Sequence, residues 1–457
     1  MPLSFFRSLV VDWKTEPVLF LYMLGSYLKM PVFQSLLFEK SCWQIYADDL
    51  LCGNSSAYHE NEKVALMANQ LFFFSSLTLT LPSIPSSLFL GTLVDSSRVR
   101  LSLLIPITAL ILSSFVYIIL SLFPHSSPYY LLISDAIFGI AGGYTAVIGV
   151  SAAYSVRGSA GSIRSSRMAR LEASIGLGGC LGSFFSGSLR KSLGYTSVFS
   201  IITALQVLAL FYILLCVHDH VYEEIPDSSQ ASSFVRRSLI DPLLVLSRPR
   251  PLHLVLIACF IAFGLELFAF SGMSDIQYSF MFYRLSWDDV SYGHFSALTS
   301  LFGTLGVLLF YPLLRTILSD ATLGAAGLVM KILFLIVLSF TTSSLLVFIL
   351  SLLYIGSRFV STAFRTQIAN LVEEDEQGKM ASLVSILEGV TGILATAVLN
   401  NLYPLTLPIW SGICPMSIVA LLCIALLILL VSSVQLKGYA RDNATSSEET
   451  SVIEDYN

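Results

Sequence analysis

Eight charged side chains of interest lie within or at the edge of long apolar stretches of the sequence, where a charge is costly and therefore informative. Four are basic and four are acidic: Lys29, Lys331, Arg358, Arg365, Asp135, Glu172, Glu266 and Glu388. Insertion scales assign about 2.5–3.5 kcal/mol to such a group at the centre of a membrane helix. We therefore expect these residues to pair with one another, to line water or to lie near helix ends. Carboxylates in such a setting can bind and release protons, and a guanidinium group can hold a carboxylate through two hydrogen bonds.

Glu172 is the first candidate for proton coupling. It precedes a glycine-rich run that contains Gly178 and Gly182, and small residues at this spacing let two helices approach closely. A carboxylate beside such a contact can take a proton when it is desolvated and release it when a cation approaches. The alternative is a structural salt bridge to Arg167 or Arg170 that holds one conformation.

Arg358 and Arg365 are candidates for substrate binding or coupling. Their seven-residue spacing corresponds to two helical turns, which places them on one face about 10 Å apart. Two guanidinium groups on one face can bind a carboxylate. Alternatively, Arg365 extends to the membrane surface beside Glu373, Glu374 and Asp375.

Glu388 is a further candidate for substrate binding or coupling. Glu266 and Glu388 can each pair with Arg358 or Lys331. Structural pairing is the favoured interpretation for these two carboxylates and for Asp135.

The composition places these charges in a lipid bilayer. Of the 457 residues, 55% are hydrophobic and 12% are charged, whereas soluble domains carry about 25% charged residues. The net charge of −5 offers no basic surface for nucleic acid. Because no Walker loop, His-Glu-x-x-His, Gly-x-Ser-x-Gly or Cys-x-x-Cys pattern occurs, we predict no enzyme, no catalytic or metal site and no cofactor.

Twelve stretches reach the length of about 20 apolar residues that a membrane helix needs. They cover residues 17–38, 70–94, 101–123, 129–153, 169–189, 196–217, 251–274, 291–314, 321–340, 343–364, 380–402 and 408–436. We predict an all-α membrane protein with a cytoplasmic N-terminus (1–16), a six-helix bundle (17–217), a cytoplasmic linker (218–250), a second six-helix bundle (251–436) and a cytoplasmic tail (437–457).

Lys and Arg in the short loops predict the orientation, because cytoplasmic loops carry an excess of both. With the N-terminus in the cytoplasm, the opposite face holds only Lys40, Lys63, Arg190, Lys191 and Arg284. Both termini are therefore predicted to be cytoplasmic.

The first external loop, 39–69, carries two candidate modification sites. Asn54-Ser55-Ser56 is a glycosylation acceptor sequence. Cys42 and Cys52 lie in the same loop and can form a disulfide in an oxidising compartment. Two free thiols are the alternative.

Several segments carry a resemblance to a known family. They are SSRMARLEASIGLGG at 165–179, Glu16-Pro17, the stretch from Asp95 to Arg100, Ser286-Trp287 with Tyr292-Gly293, and the run from Arg365 through LVEEDEQG to Asn400-Asn401-Leu402-Tyr403-Pro404. These segments resemble the proton-coupled folate transporter-like family, the solute carrier family 46 type, of the major facilitator superfamily. The resemblance covers nearly the whole chain apart from the linker and the tail.

The resemblance implies a major facilitator fold, in which two six-helix bundles face a central cavity that opens alternately to either side. It also implies that Glu172 matches a glutamate associated with proton coupling, and that Arg365 matches an arginine associated with substrate and proton handling. Asp95, Arg98 and Arg100 fall on the superfamily loop that clamps one conformation, although Arg98 stands where glycine is usual. Phe270 replaces a functional histidine of the folate transporter.

Together, the residues and the resemblance predict a secondary active transporter. Its substrate is expected to be a small organic solute, either an anionic, folate-like compound or a lysosomal catabolite, moved by alternating access with protons. The alternative is a non-transporting receptor or scaffold built on a transporter fold. The plasma membrane is the favoured location, and the lysosomal membrane is the second.

Overall fold

The computed structural model describes residues 15–53, 61–95, 98–156, 161–217, 246, 248, 252–372 and 377–454. Within these ranges all regular secondary structure is helical. The apolar composition accounts for this, since a backbone in lipid must satisfy its hydrogen bonds internally and a helix does so within one segment.

The elements follow one another with short connections. Up to residue 217 they are α1 (Glu16–Tyr46), α2 (Asp49–Cys52), α3 (Glu62–Asp95), α4 (Val99–Leu122), a 3₁₀ turn (Pro128–Tyr130), α5 (Leu131–Ile140), α6 (Gly143–Val156) and α7 (Gly161–Cys216). From residue 252 they are α8 (His253–Leu285), α9 (Asp289–Leu305), a π turn (Gly306–Phe310), α10 (Tyr311–Arg315), α11 (Asp320–Phe340), α12 (Ser344–Leu350), a 3₁₀ segment (Ser351–Gly356), α13 (Phe359–Asn370), α14 (Gln377–Thr406) and α15 (Ile413–Glu454).

Ten helical segments in the described ranges are long and apolar enough to cross a membrane. One of them, Arg170–Cys216, holds two helices, because Gly194 with φ 78° and ψ 172° breaks α7, a conformation that glycine adopts readily. Helix α1 has 31 residues, including Lys29 and Gln34, and is not one of the ten. The prediction of an all-α membrane protein is confirmed, and the count of twelve spans stays a prediction.

The buried side chains fall into clusters that follow the order of the chain. Two clusters draw on α1 to α7, and the largest is built mainly from α8 to α15. We refer to these two sets of helices as the first and second halves. Most of the predicted linker, 218–250, lies outside the described residues, so the predicted domain limits stay predictions.

We call the end of the molecule at which α1 begins the proximal side and the end at which α1 finishes the distal side, where several contacts join the two halves. Here Ser279 Oγ of α8 donates a hydrogen bond of 2.9 Å to Asn69 Oδ1 of α3. The rings of Phe38 and Phe282 pack with their centroids 4.7 Å apart. These contacts join the halves on the distal side.

Glycines bring α1 and α7 into close contact. A Cβ atom at Gly182 would lie 2.5 Å from the backbone oxygen of Leu24, and one at Gly178 would lie 2.9 Å from that of Phe20. Only glycine fits at such distances, as the spacing of these residues predicted. The contact fixes the helix that carries Glu172 against α1.

The helix predicted to end at residue 274 continues to Leu285 in α8. Asp275 therefore lies inside a helix, and the prediction that the spans contain eight charged residues was too low. Thr396 and Asn400 of α14 donate hydrogen bonds to the Asp275 carboxylate, and such partners reduce the cost of burying a polar group within the helix bundle.

Candidate functional site

A central cavity of about 210 Å³ lies between the two halves. The first half contributes few side chains, from α1 and α7, and the second half contributes most of the wall. Polar groups that line the cavity include Tyr27, Ser183, Ser296, Thr299, Ser300, Ser357 and Gln277, and apolar groups include Met30, Ala269, Phe270, Met273, Phe334, Leu335, Ile418 and Leu422. The two kinds of wall suit an amphipathic organic molecule better than a small inorganic ion.

Lys331 of α11 and Glu266 of α8 form an ion pair in the wall of this cavity. Their side chains are 15% and 3% exposed, so the pair is almost removed from water. The Lys331 ammonium also lies 5.4 Å from the centre of the Phe270 ring. Of the two partners predicted for Glu266, the structure selects Lys331.

Glu172 and Arg358 join the two halves. The Arg358 guanidinium donates a 2.9 Å hydrogen bond to Glu172 Oε2, and both side chains are partly exposed, at 36% and 41%. Arg358 also lines the cavity. Glu172 is therefore a carboxylate of the first half that neutralises a cavity cation of the second.

The structural alternative for Glu172 named Arg167 or Arg170 as its partner. Arg170 instead lies with Nε 3.7 Å from Glu16 Oε1 at the start of α1. The side chain of Arg167 lies outside the described residues. Pairing with Arg358 was not predicted for Glu172. It makes Glu172 part of a contact between the halves and not of a local salt bridge.

Arg365 of α13 pairs with Glu388 of α14, so the prediction that Glu388 pairs with Arg358 or Lys331 was wrong. Its guanidinium also lies 5.8 Å from the centre of the Phe263 ring. The structure does not place Arg358 and Arg365 on one continuous α-helix, because a 3₁₀ segment runs to Gly356 and α13 begins at Phe359. The two arginines therefore have separate carboxylate partners. Glu373, Glu374 and Asp375 lie outside the described residues.

Asp135 occupies a buried polar site inside the first half. Ser75 Oγ and Tyr117 OH donate hydrogen bonds of 2.6 Å and 2.7 Å to its carboxylate, and Lys29 Nζ lies 3.8 Å from Oδ1. The Lys29 ammonium is also 4.3 Å from the centre of the Tyr117 ring. Structural pairing of Asp135, the favoured interpretation, is what the structure shows.

An ion pair that was not predicted joins the halves on the distal side. Arg190 of α7 donates two hydrogen bonds to the buried carboxylate of Asp289 at the start of α9. Asp288 caps α9 by accepting from the Ser291 amide at 2.9 Å. Burial raises the pKa of Asp288, but the hydrogen bonds from Ser291 and the positive charges of Lys191 and Arg190 outweigh it and hold this pKa below its ordinary value. Sequence alone assigned Arg190 only to a loop.

The predicted conformational clamp lies on the proximal side, between α3 and α4. Arg98 is exposed, and its backbone N–H donates to Leu93 O at 2.9 Å. The Arg100 guanidinium donates to Leu214 O near the end of α7. The Asp95 side chain lies outside the described residues, so the clamp stays a prediction.

The first distal loop contains a disulfide between Cys42, in α1, and Cys52, in α2. It ties the end of α1 to the segment that leads into α3. Asn54, the predicted glycosylation site, lies outside the described residues. Within the residues that the structure describes, no group of three or more His, Cys, Asp or Glu side chains is arranged to hold a metal ion.

Comparison with known proteins adds to this geometry. A family model described as Major Facilitator Superfamily matches residues 18–396. The chain is 27% identical over 432 residues to the proton-coupled folate transporter of Bos taurus, with 89% of each chain covered. It is 24% identical over 420 residues to the lysosomal proton-coupled steroid conjugate and bile acid symporter of Gallus gallus, covering 87% of this chain and 89% of that one.

Solved structures show the same fold. The crystal structure of a human organic anion transporter superposes with a TM-score of 0.63 at 17% identity, covering 91% of this chain and 97% of that chain. At this level of identity the likeness concerns the fold alone.

Proposed function

Because the chain belongs to the Major Facilitator Superfamily, we propose that it is a secondary active transporter that moves a small organic anion together with protons by alternating access. The observation that carries this proposal is the cavity between the halves, whose two cations, Lys331 and Arg358, are each held by a carboxylate. Both relatives described above are named as proton-coupled transporters.

The Glu172–Arg358 pair supports coupling between a proton and an anion. While Glu172 is ionised, it occupies Arg358, and a proton on Glu172 removes that competition. Arg358 is then available to a carboxylate or sulfate group of the solute. Because the pair spans the two halves, the same exchange weakens a contact that must break when the halves move. Proton and solute binding are thereby linked to conformation.

Arg365 and Glu388 form a second pair of the same type near the proximal end of α13 and α14, and we assign them to substrate binding or coupling. Asp95, Arg98 and Arg100 act on the conformational change and not on the solute. Both termini are cytoplasmic in this proposal, so the distal side faces away from the cytoplasm.

The relatives suggest two chemical classes of solute to test first. One is named for folate and the other for steroid conjugates and bile acids. All three combine rings with an acidic group, which matches a cavity with an apolar wall and two cations. The corresponding membranes are the plasma membrane, which we favour, and the lysosomal membrane.

Uptake into proteoliposomes tests the proposal. Purified protein is reconstituted, a proton gradient is imposed, and the uptake of radiolabelled folic acid and taurocholate is followed with and without an uncoupler. We expect one of these probes to accumulate and the uncoupler to abolish accumulation. Glu172→Gln should lose the response to the gradient, while Glu62→Gln, at an exposed carboxylate that begins α3, should retain it.

Two results would favour the receptor or scaffold alternative. In one, neither the two probes nor a wider panel of organic anions accumulates. In the other, Glu172→Gln and Arg365→Ala leave the cellular activity of the protein intact.

A further inference from the structure

Asp275 is a partly buried carboxylate for which the proposed mechanism has no use. It lies in α8, ten residues before the distal end of that helix at Leu285. Thr396 Oγ1 donates to Asp275 Oδ2 at 2.5 Å, and Asn400 Nδ2 lies 3.3 Å from the same oxygen. Both partners are neutral.

The four carboxylates that the sequence analysis placed in the membrane have basic partners. Glu172, Glu266, Glu388 and Asp135 pair with Arg358, Lys331, Arg365 and Lys29. Among the residues that the structure describes, no basic nitrogen lies within ion-pair distance of Asp275. An isolated charge at this depth costs several kcal/mol, and a carboxyl group avoids that cost by binding a proton.

Apart from the donors Thr396 and Asn400, the described surroundings of Asp275 contain little that would stabilise a negative charge. Helix α9 presents Tyr292, whose hydroxyl lies close enough for an electrostatic effect. Helix α15 carries no charged residue between 413 and 436, only the thiols of Cys414 and Cys423. Helix α11 contains Lys331 and helix α13 contains Arg365. These two cations form ion pairs with Glu266 and Glu388.

The hydrogen bonds fit a neutral acid. Thr396 and Asn400 both donate to Oδ2, as they would to the carbonyl oxygen of a protonated carboxyl group, while Oδ1 remains for the proton. Asn400 Nδ2 also donates to the backbone oxygen of Thr396 at 3.1 Å, which holds the amide nitrogen facing the Asp275 carboxyl group.

The neighbours of Asp275 in α8 show where its carboxyl group lies relative to the cavity and to the distal side. Ser274 and Gln277, one and two positions from Asp275 in α8, line the central cavity, so the carboxyl group lies close to the cavity. One turn further along α8, Ser279 donates to Asn69 of the first half. The site therefore lies between the cavity and the distal contact of the halves.

We propose that Asp275, with Thr396 and Asn400, is a second proton-binding site, separate from the Glu172–Arg358 pair, and that it holds a proton in this conformation. Its part in the transport cycle rests on the proposed function, whereas the bound proton does not. The Asn400 amide nitrogen directed at the carboxylate favours a proton over a metal cation, which would be repelled by that donor.

Infrared spectroscopy of the purified full-length protein tests the proposal without any solute. At neutral pH, the wild type minus Asp275→Asn difference spectrum should contain one protonated-carboxyl C=O stretching band. Glu172→Gln is the matched control and should keep that band. If Asp275→Asn does not fold, Thr396→Val should shift the same band, because the carbonyl oxygen loses a donor.

Two outcomes would overturn the proposal. The first is a difference spectrum that lacks the C=O band and shows only carboxylate bands, which means that Asp275 is ionised. The second is a band that appears only when Na⁺ is replaced by a large organic cation, which means that the site binds a metal ion. Persistence of the band in both media, together with failure of the uptake assay, would leave the proton site standing and remove the transport function.

Discussion

The Lys331–Glu266 pair offers a quantitative test of how charge is arranged around the cavity. Replacing Lys331 by Met leaves Glu266, which is 3% exposed, without its counter-ion. Breaking a buried pair by removing one partner costs about 3–5 kcal/mol, whereas replacing both partners with apolar residues of similar volume is often neutral. We therefore expect Lys331→Met to lower the free energy of unfolding by about 3–5 kcal/mol and Lys331→Met/Glu266→Met to recover most of that loss.

A matched control and a thermodynamic cycle make the test specific. Arg315 pairs with Asp320 at 3.1 Å, but Arg315 is 59% exposed, and exposed pairs contribute about 0–1 kcal/mol. Arg315→Met should therefore have little effect. Unfolding is followed by tryptophan fluorescence in mixed micelles of increasing denaturing detergent. The reasoning is refuted if Lys331→Met and Arg315→Met are equally stable, or if the effects of the two single substitutions at the cavity pair simply add.

Two further predictions concern the contacts that the halves and helices make. Exchanging the charges of the Glu172–Arg358 pair, as Glu172→Arg/Arg358→Glu, should restore part of the conformational coupling that either single substitution removes. This coupling is measured by the accessibility of cysteines in the cavity with and without a proton gradient. Identical accessibility in the single and double variants would contradict the assignment. Gly182→Leu should abolish folding or transport, because the Cβ alone would lie 2.5 Å from Leu24 O. Gly149→Ala should behave as wild type, because its Cβ would have nothing within 4 Å. Surface expression and solute uptake are measured for both variants.

Much of the fold followed from patterns that are local in the sequence. Apolar runs of sufficient length predicted the membrane helices, and the spacing of Gly178 and Gly182 predicted the close approach of α7 to another helix. The resemblance predicted the family. What local patterns left unresolved was the end of α8, because Asp275 interrupts an apolar run and its hydrogen-bond partners lie on α14, far along the chain.

For the charged residues too, local sequence predicted part of the result and contacts between distant segments decided the rest. Their presence in the membrane was predicted from composition alone, but their partners depend on contacts between distant segments. Glu172 and Arg358 are 186 residues apart, and Glu266 and Lys331 are 65 apart. The sequence offered Lys331 only as one of two possible partners for Glu266, and it did not suggest Arg358 as a partner for Glu172. Asp275 was overlooked for a related reason, since a carboxylate with only neutral partners has no complementary charge to suggest it.

Proton flux measured together with solute flux tests the central claim most directly. Proteoliposomes that contain a pH-sensitive dye are given the solute that accumulates in the uptake assay, with no initial pH difference. If Glu172 couples the two, adding solute outside should acidify the interior in wild-type vesicles and leave Glu172→Gln vesicles unchanged, while Glu62→Gln behaves as wild type. Solute entry without any pH change in the wild type, or an equal pH change in Glu172→Gln, would contradict the account.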